Sequence, residues 1–161
     1  MCQILRSLAP LHRKVWMPDW LCHTMVEAAE RAGYEMVFYE LDSDFKATVE
    51  ALDRSGFRNG DAMLMVNYFG LQDLTSTAKA IKEHYPDAIV IEDDVQAYWS
   101  FSKKENPYAD YRFTSMRKAF ATPDGGLVKT TRPMPEATCS NTFAPLKVKA
   151  GVMNSTEERQ A

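Results

Sequence analysis

Residues 88–97 read AIVIEDDVQA, four apolar residues running without a break into three acids. A segment apolar at every position is covered on both faces, as a central strand of a parallel sheet is. Acids at its carboxyl end stand where open α/β sheets bind ligands, in the crevice beyond the strand ends. The segment thus points to a fold class and to a place for chemistry.

The pattern repeats outward from there. Residues 62–67 (AMLMVN) form a second such run, apolar up to the closing Asn67. Between the two, Leu74, Ala78, Ile81 and Tyr85 recur at helical spacing, with Asp73 or Thr75 as cap and Pro86 as stop. Upstream, a strand over 14–17 is stopped by Pro18. A helix over 21–32 ends at Gly33, and a strand covers 35–41 (EMVFYEL). Asp44 stands at an N-cap position before Phe45, Val49 and Leu52, a helix that Gly56 ends. Downstream, strands are expected near 110–114 and at 126–130 (GLVKT), the latter after a Pro-Asp-Gly-Gly turn.

Strands alternating with helices predict an α/β fold of three layers, αβα, around a mostly parallel sheet of about six strands. Residues 1–132 read as one core. Residues 133–161 read as a tail interrupted by Pro133, Pro135 and Pro145, with a candidate helix after the last. Four loops fall at carboxyl ends of strands, at 19–23, 67–70, 92–96 and 114–118, which points to one site built from several connections.

Composition narrows the function. The 161 residues are 45% hydrophobic and 25% charged with a net charge of -3, the profile of a globular domain with no basic block for nucleic acid. Cys2, Cys22 and Cys139 are odd in number and far apart, which suits free thiols in a reducing compartment better than a disulfide framework or a metal site. Basic residues at 6 and 12–14 leave no apolar leader core, and no run is long enough to span a bilayer. A cytoplasmic protein without a membrane segment is the expectation.

Single residues carry weaker signals. One carboxylate of Glu92, Asp93 and Asp94 can hold a cation or a protonated ring nitrogen, although a lone acidic cluster is as often a solvated loop or cap. Lys118, flanked by Met116, Phe120 and Ala121, is a candidate nucleophile, but alone it reads as an exposed lysine beside Arg117. Ser115 can donate to a phosphate, and Trp20 or His23 can cover an aromatic ring or simply pack. The turn at 124–126 lets backbone approach a ligand closely.

In order, these features resemble the DegT/StrS-type sugar aminotransferases of the aspartate aminotransferase-like family, which use pyridoxal 5'-phosphate (PLP). The resemblance rests on IVIEDDVQA (89–97), TSMRKAFATPDGG (114–126) and the entry segment 15–42, and covers roughly residues 15–130. It implies that Lys118 attaches the cofactor covalently and that Asp93 pairs with the pyridinium nitrogen, keeping the ring an electron sink. It further implies Gln96 near the phenolic oxygen, Ser115 near the phosphate and Asn67 as a polar neighbour. A ring cover drawn from Trp20, Cys22 and His23 follows as well, with Cys22 standing where the family has an aromatic. Family members begin with a strand and a phosphate-binding loop and end with a small domain. The resemblance therefore implies a truncated central core without those parts, with residues 1–11 as a remnant of the helix after the loop.

The implied activity is transfer of an amino group to a keto-sugar or similar carbonyl, in a homo-oligomer, most simply a dimer. Full activity is not expected of the isolated chain. The alternative is a non-catalytic α/β domain that binds PLP weakly or not at all. A phosphoacceptor receiver domain is disfavoured, because receivers carry their acid pair on the first strand and their lysine in a Lys-Pro turn.

Overall fold

The computed structural model describes residues 1–8 and 14–135. The elements run α1 (Cys2–Ser7), β1 (Lys14–Pro18), α2 (His23–Ala32), β2 (Glu35–Tyr39), α3 (Val49–Arg54) and β3 (Ala62–Val66), then α4 (Thr75–His84), β4 (Ile89–Asp93), α5 (Tyr98–Lys103), β5 (Tyr111–Ser115) and β6 (Gly126–Thr130). The tail helix expected after Pro145 and Cys139 lie outside the described residues.

The six strands make one sheet in the order β2-β1-β3-β4-β5-β6. All neighbours are parallel except β5 and β6, which are antiparallel. The chain leaves β1 for β2 on one side and returns to β3 on the other, so the topological switch lies between β1 and β3. The α/β, three-layer, mostly parallel reading holds.

Strand alternation divides the core into two layers. Val15, Met17, Ala62, Leu64, Ile89 and Ile91 face α1 and α2, where Ile4, Leu5 and Ala29 are enclosed. Trp16, Met63, Met65 and Val90 face α3 and α4, against Leu52, Ala78 and Ile81. Two tyrosine hydroxyls tie the layers to the backbone: Tyr34 donates to Leu5 O at 2.9 Å and Tyr39 to Leu64 O at 2.7 Å. At the far edge β6 is exposed along most of its length, including Leu127 and Val128. No helix among the described residues is long and apolar enough to cross a membrane.

Boundaries moved for identifiable reasons. The cap of α3 is Thr48, whose Oγ1 accepts from Ala51 N at 3.1 Å, and not Asp44. Asp42 gathers the backbone N–H groups of Asp44 and Lys46 at 2.9 and 2.8 Å, which holds that stretch in a turn and puts Phe45 in the left-handed region at φ 57°. Helix α2 starts two residues later than expected, with Cys22 as its N-cap. Strand β4 continues through Glu92 to Asp93, so the first two acids belong to the strand and not to a loop.

Candidate functional site

The carboxyl ends of β1, β3, β4 and β5 surround a cavity of about 290 Å³. That is close to the lower end of the roughly 300–1,000 Å³ typical of small-molecule sites. Its position straddles the switch between β1 and β3, where this sheet topology concentrates ligands. Leu21, Cys22, Thr24 and Met25 enter from the start of α2, and Val66 and Tyr68 from the end of β3. Asp93, Val95 and Gln96 come from β4, and Ser115, Arg117 and Lys118 from β5.

The three acids do not act together. Asp93 follows Ile89 and Ile91 onto the α1/α2 side and into the cavity, whereas Glu92 and Asp94 turn to the opposite face. The Asp93 carboxylate is 6% exposed and accepts from Val95 N at 2.8 Å. It forms no ion pair among the described residues. Burial pushes it up to about 6, opposed in decreasing order by the Val95 N–H, the α-amino group of Met1 and Lys118. The two amines offset the burial of this acid only in part.

On the other face Arg112 serves both remaining acids. Its Nε meets Glu92 Oε1 at 3.1 Å and its Nη2 meets Asp94 Oδ2 at 2.7 Å. Nη1 donates to Lys104 O at 2.6 Å, and the guanidinium lies 5.6 Å from the centre of the Phe101 ring. Asn106 donates to Glu92 at 2.6 Å and Asn67 to Asp94 at 3.0 Å. One cation for two buried carboxylates is too little. Burial first, and then the Asp94 charge, push Glu92 up to about 7. Asp94 is raised too, chiefly by burial.

Lys118 ends a single 3₁₀ turn, Met116–Lys118, directly after β5. The glycines that follow let the β6 hairpin close against that turn. Met116 N donates to Gly125 O at 3.0 Å, Gly125 has φ 120°, and a Cβ on Gly126 would stand 3.1 Å from Thr114 O. Lys118 itself is exposed at the rim of the cavity, without the flanking burial by Phe120 that its sequence context suggested. Across the cavity, Thr24 donates to the Cys22 sulfur at 3.2 Å and lowers the thiol, with a smaller contribution from the charge of Lys118.

Of the residues singled out from sequence, Lys118, Asp93, Gln96, Ser115 and Cys22 share the cavity wall. Trp20, His23 and Asn67 are placed elsewhere. Trp20 stacks on Tyr68 at 5.3 Å and lies tilted against Phe45 at 4.9 Å, and Tyr68 donates its hydroxyl to Trp20 O. His23 pairs with Glu27 at 3.5 Å on the exposed side of α2. Asn67 is buried in the Asp94 network, where its Oδ1 has no partner. Leu21, Val66 and Val95, with Tyr68, Thr24, Met25 and Arg117, complete the wall without having been singled out as site residues. Tyr68 and Arg117 sit in the strand-end loops already marked, whereas nothing local distinguishes Thr24 or Met25.

The residues present fit the PLP that the sequence resemblance implies. A buried carboxylate short of a cation suits a protonated ring nitrogen, a rim amine suits the aldehyde, and the Ser115 hydroxyl with Arg117 suits a phosphate.

No family model matches the sequence, and no curated protein matches it. Solved structures do. A DegT/DnrJ/EryC1/StrS aminotransferase from Brucella abortus matches with a TM-score of 0.54 and 23% identity over 81% of this chain and 38% of that one. PseC of Helicobacter pylori, an aminotransferase involved in the biosynthesis of pseudoaminic acid, matches with a TM-score of 0.64 and 17% identity over 92% of this chain and 39% of its own. A serine palmitoyltransferase from S. paucimobilis, solved with PLP and myriocin, matches with a TM-score of 0.59 and 17% identity over 82% and 36%. The chain thus spans less than two fifths of each of these proteins, and it has their fold, the α/β fold of PLP-dependent transferases.

Proposed function

We propose that the cavity is a PLP site of the DegT/StrS aminotransferase type and that its chemistry is transfer of an amino group to a keto-sugar or similar carbonyl. One observation carries this reading: an only partly compensated buried carboxylate and a lysine from the next strand line the same cavity at the sheet's switch point. When bound, PLP supplies an electron sink for a carbanion. The chain's own groups have distinct tasks. Lys118 Nζ is the covalent anchor and the base that moves a proton at the substrate carbon. Asp93 holds the proton on the ring nitrogen. Because burial raises this acid to about 6, that pairing is lost as pH falls through this value and complete above it. Ser115 Oγ and the Arg117 guanidinium bind the phosphate, and the Gln96 amide meets the phenolic oxygen. Cys22 and Met25 cover the ring, with Trp20 bracing the wall through Tyr68.

Adding PLP to the protein should produce a visible absorption band, and borohydride reduction should fix the cofactor mass on Lys118. Lys118→Ala should abolish both. Identical spectra for wild type and variant would remove the lysine from the site.

A second reading, a domain that binds PLP weakly and does not turn over, is favoured by the exposure of Lys118 and Gln96, which admits water where closed sites exclude it. Conversion of a keto acceptor in the presence of any amino donor separates the two.

The reading includes a homo-oligomer, most simply a dimer, in the cytoplasm. Self-association is supported by apolar side chains beside the cavity, with Phe69 63% and Leu71 86% exposed, and by the open edge of β6. Light scattering after size exclusion should give twice the chain mass at micromolar concentration. A monomer mass there would sink this part.

A further inference from the structure

Asp93 and Asp94 are consecutive, yet one faces the cavity and the other is 0% exposed on the opposite side of the sheet. Asp94 is held at every polar atom. Its N–H donates to Phe113 O at 2.8 Å, and its carbonyl accepts from Thr114 Oγ1 at 2.8 Å and from Ala97 N at 2.8 Å. Its carboxylate takes Arg112 at 2.7 Å and Asn67 at 3.0 Å. Asn67 also donates its backbone N–H to Asp93 O at 2.9 Å, so one residue secures both acids. With Asp94 clamped from β3 and β5, the peptide joining it to Asp93 cannot roll, and the turn that aims Asp93 through Val95 N is set.

We infer that Asp94 is a positioning residue: gripped by Arg112, Asn67 and Thr114, it aims the Asp93 carboxylate into the cavity from the far side of the sheet. This deepens the proposed function, resting on Asp93 as the partner of the ring nitrogen. The charged and titratable groups facing Asp93 are the α-amino group of Met1, Lys118, Arg117, Cys22 and Tyr68. Those facing Asp94 are Glu92 and Arg112, and Arg112 also feels Asp73 and Glu105.

Carbon-13 carboxyl NMR of the cofactor-free protein tests the inference, following Asp93 through pH in three variants. Asp94→Ala frees the turn, admits water to Asp93 and should lower its midpoint by about one pH unit. Asp94→Asn keeps the shape and can still bond Arg112, while its amide can donate to the orphaned Asn67 Oδ1, so it should leave the midpoint within a few tenths. Thr114→Val removes one clamp and should give a smaller shift in the same direction, which covers the case of an Asp94→Ala protein that does not fold. Two results would overturn the proposal. One is an unchanged midpoint in the folded Asp94→Ala and Thr114→Val proteins. The other is an Asp94→Asn shift as large as that of Asp94→Ala, which would mark charge and not position as the cause. A wild type that gives no Lys118-dependent band with PLP defeats the cofactor reading and leaves this titration intact.

Discussion

Replacing Arg112 with methionine should destabilise the protein by about 3–5 kcal/mol at pH 8, the range for removing one partner of a buried charge cluster. The guanidinium is the cation shared by Glu92 and Asp94, with side chains 4% and 0% exposed, and it also satisfies Lys104 O. Methionine fills the volume and answers neither acid. The pH dependence identifies the cause. Glu92 is raised from 4.5 to about 7 by burial first and the Asp94 charge second. An acid raised on folding leaves stability complete below 4.5 and removes it as pH climbs through about 7, where the folded state must release a proton the unfolded chain has already lost. Wild type should therefore weaken between those values, and Arg112→Met should weaken further and at higher pH. Glu92→Gln, which has no proton to release, should remove the Glu92 share of that slope and leave the part that the raised Asp93 and Asp94 contribute. Urea denaturation at pH 5 and pH 8 reads all three. An Arg112→Met loss below 1 kcal/mol at pH 8 would mean that water reaches the cluster.

Leu64→Ala should cost about 2–5 kcal/mol, the cavity range for a leucine with no exposed surface. Leu64 lies in β3, between β1 and β4, opposite Ile91 and under α1 and α2. Rigid strands on both sides limit collapse into the void. What relaxation occurs must come from α1, a helix of 6 residues. Glu30→Ala, at an exposed position of α2, is the control and should change stability by no more than about 0.5 kcal/mol. Equal losses from the two would contradict the layered core.

How much of this was legible beforehand depends on the range of the forces involved. The wholly apolar run at β3 declared a strand covered on both faces, and β6 was bounded correctly by its glycine turn. That Asp93 and Lys118 would stand near one crevice was expected from position, since Asp93 ends β4 and Lys118 lies in the turn after β5, and strand ends are where this architecture gathers side chains; their roles came only from the family resemblance. Local capping was harder. Asp44 and Thr48 are both good caps by composition, and the choice fell to Asp42, which claimed the backbone N–H of Asp44 and Lys46. Helix α5 gives almost no periodic signal, since Phe101 is its one buried residue. The partnership of Arg112 with Glu92 and Asp94 joins residues about twenty positions apart across neighbouring strands, and neither pattern nor propensity announces it. The placement of Trp20, His23 and Asn67 outside the cavity follows from side-chain direction, which one turn of backbone decides.

The split at the end of β4 also bears on how its sequence can drift. A substitution table scores Glu92, Asp93 and Asp94 as three near-synonyms. Yet a single-codon deletion upstream of the acids in β4 would move each of them to the other side of the sheet, putting Glu92 into the hydrophobic layer in place of Ile91, Asp94 into the cavity and Val95 against Arg112. Variants of this segment are therefore expected to tolerate exchange of side chains more readily than any change in their number.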